Sequence, residues 1–126
     1  MIDTLNIGKY IYNTLTSSSG ITCSIYPLVA DNDAKFPFII YKRVNLISEM
    51  CKDGTYEDDV TIEINVVTDK YSVGIEIANK VRELLEVQNV NYQGLEITES
   101  KIVQASEEYN TGAFVQRMQF EIKINN

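Results

Sequence analysis

Eighteen carboxylates, eleven cations, two thiols and no imidazole bound the chemistry open to this 126-residue chain. Without histidine it lacks the commonest general base, and with it any Ser-His or Cys-His nucleophile pair. Cys51 sits in an acidic stretch, "SEMCKDGTYEDD", not the electropositive setting that activates a catalytic thiol. Cys23 and Cys51 have no CxxC spacing and are expected as two free thiols in a reducing compartment. Asp31-Asn32-Asp33 looks like part of a calcium loop but lacks its glycine and distal glutamate. The run Glu57-Asp58-Asp59 could hold a hard cation, although a charged hairpin arm explains it as well. There is no GxxxxGK[ST] or GxGxxG phosphate cradle, and no carboxylate pair lies in an apolar context that would shift its pKa. These residues predict a protein that is not an enzyme and holds no cofactor or metal. The remaining classes are an interaction or structural module and a small-ligand binder.

The elements that would position these groups fit one domain spanning 1–126. No apolar run approaches the ~20 residues that cross a bilayer. The start, "MIDTLNIGKY", has no apolar h-region and does not look like a signal peptide. The net charge of −7 keeps the chain soluble and argues against a nucleic-acid clamp. "IDTLNIGKYIYNTLTSSSG" predicts a helix over 3–17, with Leu5, Tyr12 and Leu15 on one face and Ile11 beside them. "SIYP" predicts a short strand ended by Pro27, and Phe36 to Val44 a second strand. In "DVTIEINVVT", Val60, Ile62, Ile64 and Val66 alternate with polar residues, the pattern of a strand covered on one side. Asp53-Gly54 between these strands is a favoured two-residue hairpin turn. Residues 36–68 then form one hairpin whose arms run past the sheet as an extended ribbon. "DKYSVGIEIANKVRELLE" predicts a helix over 70–86, N-capped by Asp69, with Val73, Ile77, Val81, Leu84 and Leu85 as its apolar stripe. Residues 87–94 are expected as a connector. "GLEIT" follows as a short strand, and "ESKIVQASEEY" and "AFVQRMQFEIKIN" flank a turn at "NTG". The expected fold is α+β: an antiparallel sheet of four to five strands with two helices on one face, in the order α-β-β-β-α-β-β. A long hairpin ribbon joins its second and third strands.

Two features point outward from the monomer. Ile39 and Tyr41 lie opposite the face of Phe38 and Ile40, so this strand is either central or covered by a partner. The ribbon carries Leu46, Ile47 and Met50, and it is acidic: Glu49, Asp53, Glu57, Asp58 and Asp59 oppose only Lys52 around the turn at Gly54. A hairpin beyond the core buries little of its own surface and is marginal alone.

The succession of an opening helix, "IYP", "FPFIIYKRV" and "DVTIEINVVTDKYSVGIEIANKVRELL" resembles the tail-completion, or tail-terminator, family of long-tailed bacteriophages and prophages. The match runs from about Ile2 to Ile124. "VTIEINV" carries one alternation more than the family's third motif, and the last third matches only as a strand pattern. The resemblance implies a structural protein of the virion's tail or neck, made in the host cytoplasm, with no membrane association. Such proteins form rings, usually hexamers. The ring caps the finished tail tube, stops further tube-protein addition and meets the head connector, while DNA passes through without specific binding. Ile39, Tyr41 and the ribbon are then the expected subunit contact or lumen lining. Another phage neck protein, or a cytoplasmic α+β ligand-binding or regulatory domain, are the alternatives.

Overall fold

The computed structural model describes residues 4–125; Met1–Asp3 and Asn126 lie outside the described residues. A 3-10 turn (Thr4–Asn6) leads into α1 (Ile7–Thr16). Then come β1 (Ser24–Pro27), β2 (Phe38–Met50), β3 (Tyr56–Thr68), α2 (Tyr71–Leu85), β4 (Val87–Tyr92), β5 (Leu95–Asn110) and β6 (Ala113–Asn125). The six strands form one sheet in the order β1-β2-β3-β6-β5-β4.

This differs from the expected antiparallel sheet of four to five strands in three ways. The sheet is mixed, because β1 lies parallel to β2, with Ile25 beside Ile39. The segment expected as a connector forms β4, paired antiparallel with β5. "VQNVNY" gave no strand signal because only its helix-side residues, Val87, Val90 and Tyr92, are even half-buried. "GLEIT" and "ESKIVQASEEY" are one continuous strand, β5, bent by register shifts between Ile97 and Glu99 and between Ile102 and Gln104. Bulges allow such a strand to bend without ending.

The hairpin also differs. β3 pairs with β6 from Glu57 to Thr68, so its acidic arm lies inside the sheet rather than beyond it. Only the turn overhangs. There the Cys51 N–H donates to the Thr55 carbonyl at 2.6 Å and the Gly54 N–H to the Cys51 carbonyl at 3.0 Å. Gly54 alone of the Asp53-Gly54 pair has positive φ, at 88°. The loop is therefore longer than the two-residue form, with glycine at its left-handed position. The β5–β6 hairpin does turn on two residues, Thr111 (φ 49°) and Gly112 (φ 83°), directly after "N" in "NTG".

Side-chain alternation gives the sheet a helix side and an open side. Val60, Ile62, Ile64 and Val66 of β3 and Met118, Phe120, Ile122 and Ile124 of β6 are buried on the helix side. On α1 the buried stripe is Ile7, Ile11 and Leu15, with Tyr10 beside it. Leu5 and Tyr12, expected on that stripe, are exposed. Leu5 belongs to the 3-10 turn, whose tighter winding does not carry its phase into the helix. α2 is capped by the extended Lys70 backbone without a side-chain bond, and Asp69 is one residue too early to serve. Gly74 brings the first turn of α2 onto β3: a Cβ there would stand 3.0 Å from Thr68 Oγ1.

Leu85 is fully buried in this core, whereas Leu84 packs at its margin. Leu85→Ala should therefore cost ~2–5 kcal/mol through lost transfer and a residual cavity. Leu84→Ala should cost clearly less, measured by urea unfolding of both variants.

Candidate assembly surface

The residues expected to form an interface are distributed over three surfaces. Ile39 is fully buried beneath the chain's own helices, and Tyr41 is half-buried with its ring 6.4 Å from that of Tyr12. The strand is apolar on both sides because one side is core and the other carries its own aromatic group. On the open side Phe38 stacks on Phe36 at 5.8 Å and meets Tyr26 edge-on at 6.1 Å. Leu46 is half-buried against the core, and Asp58 is buried on the helix side, where Thr4 Oγ1 donates to Asp58 Oδ2 at 2.6 Å.

Ile47, Glu49, Glu57 and Asp59 lie together on the open side, by the pairings Ile47 with Asp59 and Glu49 with Glu57. Alternation thus separates Asp58 from Glu57 and Asp59, and the three carboxylates do not converge on one point. Met50, Lys52, Asp53 and Gly54 form the exposed tip. There the Thr55 hydroxyl, at 2.6 Å, and backbone N–H, at 3.1 Å, donate to Asp53 Oδ1 and hold that carboxyl below its ordinary pKa.

The open side carries a polar ladder across four strands. Asn65 Nδ2 donates to Glu63 Oε2 at 3.1 Å, and Lys42 Nζ stands 3.5 Å from the same oxygen. Arg117 donates through Nε to Asn65 Oδ1 at 2.9 Å and through a terminal nitrogen to Glu108 at 2.7 Å. Burial alone would push the Glu63 carboxyl up. The bonds from Asn65 and Gln119 and the charges of Lys42 and Arg117 outweigh it and hold the group below the usual glutamate range.

Sequence reasoning missed the tip of the β5–β6 hairpin. Tyr109 and Phe114 face each other with ring centres 4.8 Å apart, and Tyr71 of α2 meets Phe114 edge-on at 5.8 Å. Gln116, at 2.8 Å, and the Tyr71 hydroxyl, at 2.9 Å, both donate to Glu107 Oε2 and hold that carboxyl below its ordinary pKa. The signal was present: a two-residue turn at Thr111-Gly112 makes Tyr109 and Phe114 cross-strand partners. A cleft of about 530 Å³ between the end of α1 and β4 is lined by Asn13, Thr14, Ser17, Ser18, Ser19, Leu84 and Tyr92, none of them charged. No helix among the described residues is long and apolar enough to cross a membrane.

No protein-family model matches the chain, and no curated protein sequence is similar to it. Its fold does recur. A chain in the virion of a native gene transfer agent particle superposes with a TM-score of 0.79, over 92% of this chain and 92% of that one. The two share 11% sequence identity, so the likeness is one of fold.

The depressed Glu63 carboxyl gives a pH signature. A carboxylate with a lowered folded-state pKa adds stability above its unfolded pKa, about 4.3 for glutamate, and loses it as pH falls through the folded value. Wild type should melt higher than Glu63→Gln near neutrality, and the gap should close as pH falls below about 4.3. Thermal melting of both proteins across that range checks it.

Proposed function

We propose that this chain is a structural protein of a phage-like virion, and that it forms a ring at the end of the tail tube. The observation that carries this is the fold shared with a gene transfer agent virion chain over 92% of both chains. The motif succession from the opening helix to "ELL" favours the tail-terminator role over other positions in such a particle. In that role the ring stops tube growth and meets the head connector. The tail-tube and connector proteins are its partners, and no catalytic step is required.

The open side of the sheet suits a DNA passage. Glu49, Glu57, Asp59, Glu63, Glu96, Glu99, Glu108 and Glu121 outnumber Lys42, Lys101, Arg117 and Lys123 there. Because alternate residues of a strand share a face, these charges all project to the side away from the helices. A wall with excess negative charge lets a phosphate backbone slide without adhering.

Removing the gene and imaging the resulting particles by electron microscopy tests the role. Tubes of uncontrolled length, unattached to filled heads, are the expected outcome, with normal tails restored when the chain is supplied again. Tails of normal length joined to heads in its absence would overturn the proposal.

A further inference from the structure

The two edges of the sheet are stepped, and the steps are complementary. On one side β1 covers only Phe38–Tyr41 of β2, so from Lys42 to Met50 β2 is recessed and pairs with β3 alone, its outer edge uncovered. On the other side β4 covers β5 only as far as Ser100, so β5 is recessed from Lys101 to Asn110.

The registers fix the heights of these steps. Pro27 is level with Tyr41, then Ile64, Met118 and Ala105, while Ser24 is level with Phe38, Val67, Val115 and Glu108. The projecting β1 thus stands at the height of Ala105–Glu108, inside the recess of the opposite edge. Likewise Val87 is level with Ser100, Ile122, Val60 and Leu46, and Asn91 with Glu96, Asn125, Glu57 and Glu49. The projecting β4 stands at the height of Leu46–Glu49, inside the other recess.

At the height of β1 the sheet is five strands wide, β1-β2-β3-β6-β5. At the height of β4 it is again five, β2-β3-β6-β5-β4. One sideways step of about 24 Å, five strands at ~4.8 Å each, therefore seats β1 of a second copy on β5 and β4 on that copy's β2 together. From these matched steps we propose that copies of this chain join head to tail edge to edge, continuing the sheet from subunit to subunit. The interface rests on the ring reading above and specifies how the ring is built.

Side chains at the steps agree. β1 and β4 carry no charged residue, in a chain of net charge −7, so neither projection brings like charges together. The inner corners carry exposed aliphatic groups at matching height. Leu28 follows β1 at φ 66°, held by its N–H to the Tyr41 carbonyl at 2.9 Å, and leaves its side chain and that of Val29 about 70% exposed. Val44 and Val103, each at a register shift of its strand, are nearly half exposed at the same level. Pairing steps would cover all four. Pro27 has no N–H to give, so the main ladder is β4 against β2, parallel in sense. The contact uses two different patches, the kind that closes into a ring when the rotation from copy to copy closes and otherwise runs on as a filament.

Cysteine cross-linking tests the arrangement. Gln88 is level with Glu99, Lys123, Asp59 and Ile47 and lies on the same open side, so Gln88 of one copy should adjoin Ile47 of the next. Adjacent strands bring Cα atoms within disulfide reach. In a Cys23→Ser, Cys51→Ser background, mixing Gln88→Cys with Ile47→Cys should give a disulfide dimer, while either variant alone gives none. The pair Ser24→Cys and Glu108→Cys should do the same at the other step. The mixtures are oxidised both as concentrated protein and in particles assembled with them. A homodimer from one variant alone, a product between Ile47→Cys and Ser106→Cys, or no product in either setting would overturn the edge contact. Cross-links at the paired steps in particles whose tails need no capping protein would keep the interface and remove the terminator role. Uncontrolled tails without the gene, combined with no cross-link, would do the reverse.

Discussion

The antiparallel ladder between β3 and β6 is the constraint on which the molecule depends. It runs from Glu57 beside Asn125 to Thr68 beside Phe114, joining segments separated by most of the second half of the chain. Along its helix side Val60 meets Ile122, Ile62 meets Phe120 and Ile64 meets Met118, all buried. That aliphatic surface gives α1 and α2 something to cover. A slip of β6 by one residue would turn Arg117 and Gln119 toward the helices and Phe120 and Ile122 away from them.

Because register is fixed there, the open side is fixed as well. Lys42, Glu63, Asn65, Arg117 and Glu108 come from four strands, yet they meet in one hydrogen-bonded ladder. Each exposed ion pair contributes little by itself. Their joint effect is to make this side polar, ordered and net acidic.

The short strands β1 and β4 matter in a different way. Neither contributes much to the central core, yet between them they leave two long edges uncovered. Proteins usually blunt such edges against unwanted pairing. Here Pro27 at the end of β1 and the register shifts around Val44 and Val103 interrupt the regularity of those edges.

The sequence by itself determined the strong local signals. The alternation over 60–66 and 114–124, the amphipathic stripe of α2, the glycine turns at Gly54 and Gly112 and the lack of imidazole all follow from residue type and spacing. The tertiary structure decided which of these signals met. Residues 87–92 became a strand only because β5 was there to pair with them, and polar residues on an edge strand carry no apolar alternation to announce it. The acidic arm Glu57–Asp59 looked like a projecting ribbon because its charges suggested water on all sides. In the fold, β6 pairs beside it, and Thr4 donates a hydrogen bond to Asp58 on the helix side. Ile39 looked available to a partner, but α1 covers it, since a helix packed across the sheet is invisible in the strand's own pattern. Pairing between distant segments depends on the shapes and registers of elements already formed, and no short window of residues contains that information.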